Sequence, residues 1–162
     1  MRKYIISLSV FLFILLSAVS FGKDAEYESV AVYFVDSQML RLVGVQTQIE
    51  KNDVNSQAKE VIQTLIEGHD DNKKIRRVLP KIKNGMTVKV FEGIAYVDIK
   101  EKMLEKQERG RDIENLAIYS IVNSLTEIDG IKAVRFTIDG IAREDYVGYI
   151  DMRDTFTYNE MY

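Results

Sequence analysis

"MTVKVFEGIAYVDIK", residues 86–100, carries two register signals that agree. Glu92-Gly93 has the chemistry of a two-residue turn joining antiparallel strands. Setting Phe91 opposite Ile94 pairs Met86 with Ile99, Val88 with Val97 and Val90 with Ala95. These six side chains are apolar and share one face, while Thr87, Lys89, Tyr96 and Asp98 fall on the other. A slip of one residue would turn the whole apolar set to the wrong side, so turn and pattern specify one hairpin.

On its C-terminal side, "EKMLEKQERGRD" (101–112) reads as a polar crossover with room for a helical turn. A helix follows over 112–128, with Ile113, Leu116, Ala117, Ser120, Ile121, Ser124, Leu125 and Ile128 at the spacing of one buried stripe. Asp129-Gly130 stops it. In "AVRFTIDG" (133–140) Val134, Phe136 and Ile138 alternate with Arg135, Thr137 and Asp139, so a strand is expected, ending in a tight turn at Asp139-Gly140. The closing stretch adds a short strand at most and then frays, which makes 154–162 a tail.

On its N-terminal side lies a basic loop, "KKIRRVLPKIKNG" (73–85). Before it, Ala58, Val61, Ile62, Leu65 and Ile66 mark one face of a helix, capped by Asp53 or Asn55 and stopped by Gly68. Two strands lead in. Residues 29–37, "SVAVYFVDS", are apolar on both faces and read as an interior strand; residues 40–50 place Val43, Val45, Thr47 and Ile49 on one face and Gln46 and Gln48 on the other. The order strand, strand, helix, strand, strand, helix, strand predicts an α+β domain: a small mixed or antiparallel sheet with two helices packed on one face.

The chain begins with a compartment signal. Arg2 and Lys3 precede an apolar run from Tyr4 to Phe21, and Ser20 and Gly22 stand where a signal peptidase wants small residues. Residues 1–22 are read as a signal peptide, with an uncleaved anchor helix as the alternative, 23–29 as a linker and 30–153 as the domain. The rest of the chain then lies outside the cytoplasm, in the periplasm, cell envelope or intermembrane space, and meets a membrane only if the first segment stays attached. Cleavage leaves 20 basic against 25 acidic residues, a balance that does not attract nucleic acid. The 162 residues contain no Cys, which excludes a disulfide framework, a thiolate metal site and a lipid-anchored lipoprotein.

Residues able to carry chemistry are few. His69 is the one His, and adjacent Asp70 and Asp71 are too close in sequence to converge with it on a metal ion. A Ser/His/Asp triad would require His69 as its base. Asp98 with Glu101, or Asp151 with Asp154, could form an acid–base pair, but 25 acidic residues produce such pairs by chance. No cofactor or metal is expected. Asn123, on the flank of the second helix, is read as a structural amide that bonds nearby backbone. Ile118, Tyr119 and Val122 lie off the core stripe of that helix. They make a second apolar patch, covered either by the tail or by another protein.

In order along the chain, Val32-Tyr33-Phe34-Val35-Asp36, Leu65-Ile66-Glu67-Gly68, Leu79-Pro80, Gly93-Ile94-Ala95-Tyr96-Val97-Asp98-Ile99, Ile121-Val122-Asn123-Ser124-Leu125-Thr126 with Gly130, and Ile138-Asp139-Gly140 resemble the blocks of the GerM domain, the sporulation and spore germination family. The resemblance runs over about residues 30–153. His69 stands where the family usually has Pro, Ser124 where it has Thr and Tyr149 where it has His. Many members also carry tandem domains or a lipoprotein Cys. The resemblance implies a fold similar to the ring-building motif of secretion-system rings, no catalysis, and a role in assembling a channel complex between mother cell and forespore. It implies that Asn123, Gly130, Asp139 and Gly140 build the fold. For protein partners or self-association, the physical candidates are the second patch of the 112–128 helix, Ile118, Tyr119 and Val122, and the sheet edge. Related domains occur fused to cell-wall amidases. The alternative is a periplasmic or wall-associated module that binds peptidoglycan or a small ligand through the loop from Lys73 to Lys83 and through Tyr96, Tyr146 and Tyr149.

Overall fold

A computed structural model describes residues 25–69 and 74–162. The signal-peptide reading, Asp70, Asp71 and Lys73 lie outside the described residues. Strand β1 (Tyr27–Asp36) is the centre of a three-stranded sheet. β2 (Leu42–Glu50) pairs antiparallel along its length, from Tyr27 opposite Glu50 to Val35 opposite Leu42. The two-residue β3 (Ile75–Arg76) pairs with its end. Being interior, β1 buries consecutive residues on both faces, with Val32 and Val35 fully enclosed. It begins at Tyr27, inside the stretch expected as linker, because Glu50 at the end of β2 gives Tyr27 a ladder partner.

Asp53 is the residue that caps α1 (Val54–Glu67): its carboxylate accepts the N–H groups of Asn55 at 3.0 Å and Ser56 at 3.2 Å. The five apolar residues of the expected stripe are all buried. The hairpin of β4 (Met86–Phe91) and β5 (Ile94–Ile99) has Phe91 opposite Ile94 and Met86 opposite Ile99. Glu92 and Gly93 both have positive φ, as the tightest hairpin turn demands. The crossover contains a short helix, α2 (Glu101–Lys106), whose Met103 and Leu104 are buried. α3 (Arg111–Thr126) then leads to β6 (Ala133–Ile138), which pairs parallel with β5.

The chain is thus α+β, but its strands divide between two sheets, β2-β1-β3 and β4-β5-β6. α3 packs on β1 of one sheet and β6 of the other and also meets α1. A helix between two sheets is enclosed on nearly every side: Leu116, Ala117, Ile118 and every residue from Ser120 to Leu125 are buried. Each enclosed Ile or Leu contributes roughly 1.5–3 kcal/mol relative to exposure. No helix among the described residues is long and apolar enough to cross a membrane.

Candidate functional site

The central position of α3 decides the fate of the expected apolar patch. Ile118 and Val122 are fully buried members of the core. Tyr119 is half-buried beneath the C-terminal segment: Tyr162 stacks on its ring at 4.6 Å and 8°, and Phe156 meets it edge-on at 6.1 Å. Of the two covers expected for the patch, the tail takes Tyr119, while the fold itself encloses Ile118 and Val122, so these three residues do not form a surface free for a partner. The fraying expected of the tail is corrected to docking. Phe156 exchanges two backbone hydrogen bonds of 2.8 Å with Val134, extending the outer edge of β6. Its ring also packs edge-on against Phe136. Tyr158 lies edge-on to Tyr33, whose hydroxyl donates to Glu127 at 2.9 Å. The Tyr33 and Tyr158 hydroxyls also share a hydrogen bond of 3.2 Å. Partial burial, and then the bonds with Tyr158 and Glu127, push the Tyr33 phenol up.

Asn123 holds the middle of this segment. Its side chain is fully buried. Nδ2 donates to the carbonyl of Asn159 at 2.9 Å, and Oδ1 accepts the Asn159 N–H at 3.0 Å. The amide thus offers the tail the donor and acceptor of a neighbouring strand. Two other α-helical side chains act similarly. Ser124 Oγ accepts the Tyr33 N–H at 2.8 Å while donating to the Ser120 carbonyl. Asn55 takes both backbone groups of Val90, at 2.7 and 3.5 Å.

Gly130 and Gly140 sit at φ 93° and 79°, in turns that an L side chain enters only with strain. Asp139 accepts the Glu101 N–H at 3.2 Å and pairs with Lys100 at 3.2 Å. Asp98 ties this corner together. Oδ1 accepts from the Thr137 hydroxyl at 2.8 Å and the Gly140 N–H at 2.6 Å, and Oδ2 from Lys100 at 2.8 Å. Burial works against the charged carboxylate, but the hydrogen bonds from Lys100, Gly140 and Thr137 together outweigh it and hold Asp98 below the usual range. A carboxylate whose folded pKa is depressed stabilises the fold above its unfolded value of about 3.9 and loses that contribution as pH falls through the folded one. Asp98→Asn is therefore expected to cost about 1 kcal/mol at pH 7, with the gap from the parent closing below about pH 4. Urea unfolding at the two pH values checks it.

The carboxylate pairs weighed for catalysis are otherwise engaged. Glu101 bonds Arg143, and Asp151 accepts from Arg153 Nε at 2.9 Å, which holds it down at about 2. His69 is exposed, edge-on to Phe34 at 6.4 Å. Among the described residues no group of acidic and His side chains could hold a metal ion. Of the tyrosines suggested for wall binding, Tyr96 and Tyr149 are exposed, but Tyr146 is buried and donates to Gln107 at 3.2 Å. Burial, and then the nearby Glu114 carboxylate, push its phenol up. Glu114 itself was not singled out by the sequence. It is fully buried, with Oε2 accepting the Tyr149 N–H at 3.1 Å and Oε1 without a partner among the described residues.

A cavity of about 640 Å³ lies between α1 and β4, floored by Ile62, Ile66, Met86 and Val88. Lys59 and the loop residues Lys81 and Lys83 stand at its rim.

A family model described as Germane, sporulation and spore germination, matches residues 31–144. The tandem GerMN domains of the sporulation protein GerM from Bacillus subtilis are similar in structure: TM-score 0.64, 21% identity, covering 82% of this chain and 46% of that one. The first GerMN domain of the same protein gives TM-score 0.58 at 21% identity, over 82% of this chain and 97% of the domain. A Clostridium perfringens protein described as a lipoprotein gives TM-score 0.59 at 19% identity, over 81% of this chain and 87% of that one. No curated protein matches the sequence.

Proposed function

The chain belongs to the Germane family of sporulation and spore germination domains, and from that membership we propose that it is an exported, non-catalytic module acting by protein–protein contact in a cell-envelope or sporulation assembly. The observation that carries the reading is how the polar side chains are used. Asn123, Ser124, Asn55 and Asp98 each bond to backbone of another segment, and Asp139 bonds the Glu101 N–H. Glu101 and Asp151 are occupied by Arg143 and Arg153. What such a domain offers a partner is shape, strand edges and charge. Export rests on Arg2, Lys3 and the apolar run after them.

Two measurements test the reading. External protease is expected to digest the protein in cells whose outer layers have been opened, while a cytoplasmic marker survives. The purified protein is expected to release no fragments from peptidoglycan and to remain in the supernatant when purified cell wall is pelleted. A protected chain would remove export, turnover would make it an enzyme, and co-pelleting would make it a wall-binding module.

A further inference from the structure

We propose that the cavity between α1 and the outer edge of β4 receives an extended, acidic segment of a partner protein, which adds to the β4-β5-β6 sheet as a fourth strand. The proposal deepens the protein-contact reading above by naming the surface and the partner's chemistry.

The register of the hairpin shows which backbone groups are free. Phe91 and Ile94 flank the turn, and at the far end the Gly85 carbonyl accepts the Lys100 N–H at 2.9 Å. Odd-numbered residues of β4 therefore exchange bonds with β5, and Met86, Val88 and Val90 direct their N–H and C=O groups outward. Asn55 shows this directly, because it grips both outward groups of Val90. Beyond Val90 the edge is open: β4 is an outer strand, and no hydrogen bond among the described residues reaches the outward groups of Met86 or Val88. An unpaired edge of this kind templates another strand.

The cavity beside that edge has the chemistry of a peptide groove. Its apolar floor comes from Ile62 and Ile66 of α1 and from Met86 and Val88. Among the described residues Lys59, Lys81 and Lys83 make no ion pair, and Glu67 is the one acidic side chain lining the cavity. A chain of net charge −3 thus presents, around one strand edge, three ammonium groups with no ion-pair partner among the described residues. They select acidic side chains from a partner. Alternating donors and acceptors along β4, at about 3.3 Å per residue, fit a polypeptide better than a compact anion. Asn55 closes the groove at Val90, so the added strand is short.

The probe is a blocked hexapeptide of alternating Glu and Val, titrated into the full-length protein and followed by amide NMR and hydrogen exchange. The expected result is saturable binding that slows exchange of the Met86 and Val88 N–H groups and weakens as salt is raised. Reversing both rim charges, Lys81→Glu with Lys83→Glu, is expected to weaken it roughly tenfold while the rest of the spectrum stays unchanged. The Lys-Val analogue, and a Glu-Val peptide interrupted by Pro, are expected to bind at least that much more weakly. Equal binding of all three peptides, binding that leaves those two amides unprotected, or absence of binding would overturn the proposal. So would concentration-dependent self-association protecting the same amides, which would assign the edge to a second copy of the chain. If the groove fails while external protease still digests the chain and wall assays stay negative, the functional reading stands without this surface.

Discussion

Asn123→Ala is expected to lower the unfolding free energy by about 3 kcal/mol and to free the C-terminal segment. The substitution removes two hydrogen bonds, of 2.9 and 3.0 Å, that tie Asn159 to α3. A buried backbone group left unpaired costs about 1–3 kcal/mol, and Asn159 is only partly buried, so water recovers some of the loss. A hole where a fully buried side chain stood adds to the cost. The effect then spreads along the tail. Without its central clamp the segment also loses the stack of Tyr162 on Tyr119, a contact of about 0.5–1.5 kcal/mol. Asn123→Asp is expected to be at least as damaging: it sets a carboxylate oxygen against the Asn159 carbonyl and buries a charge. Tyr162→Ala keeps the clamp and is expected to cost only about 1 kcal/mol. Urea titration gives the energies, and chymotrypsin cleavage after Phe156 or Tyr158 reports tail release. A protected tail in Asn123→Ala, with less than about 1 kcal/mol lost, would show that other contacts hold it.

The same residue shows where a sequence stops being readable. The hairpin is legible because Glu92-Gly93 and the alternation on either side encode one register within fifteen residues. The first helix is legible because its stripe, its cap and its stop are all local. The tail is not. The partners of Asn123, Ser124 and Asn55 lie 36, 91 and 35 residues away, and no periodicity encodes an amide's choice among distant backbones. Ile118, Tyr119 and Val122 are similar: their spacing reveals a second apolar stripe, but what encloses it depends on α3 lying between two sheets. The division of the strands into two sheets is hidden for the same reason, since each strand pattern specifies a buried face and not the element that buries it. Glu114 gives no signal at all, because a Glu in the first turn of a helix ordinarily faces water.

These non-local contacts share a purpose. A sheet edge left bare invites uncontrolled pairing. Here the outer edge of β6 is met by Phe156, the N–H of Tyr33 in β1 by Ser124, and the Val90 end of β4 by Asn55. Each device is a side chain or short segment doing what another strand would do. β2 also has an outer edge, where, among the described residues, Glu60 meets only the Glu50 N–H. What sets the open part of β4 apart is the apolar cavity beside it with Lys59, Lys81 and Lys83 at its rim, which is why the partner surface is assigned there and not to the enclosed face of α3.

Gly85→Ala is expected to destabilise the fold by about 1–3 kcal/mol, through overpacking in a site with no slack. A methyl group on Gly85 would lie 2.3 Å from Met103 Sδ, 2.8 Å from its Cγ and 2.9 Å from the Ile82 carbonyl oxygen. Met103 belongs to α2 and is fully buried, so its side chain cannot swing into solvent to make room. The Ile82 carbonyl is backbone and accepts the Gly85 N–H at 3.0 Å, so it cannot retreat without breaking that turn. Gly85 also closes the hairpin by bonding Lys100, which transmits any shift to the start of α2. Met103→Ala alone is expected to cost about 2–5 kcal/mol as a cavity. In the double variant the new methyl group enters the space that Met103 vacates. Steric conflict therefore predicts that Gly85→Ala becomes neutral or stabilising in the Met103→Ala background, a coupling of at least about 1 kcal/mol. Additive losses across the cycle, measured by urea unfolding, would mean that the Ile82 carbonyl, and not the Met103 side chain, is what excludes a methyl group at Gly85.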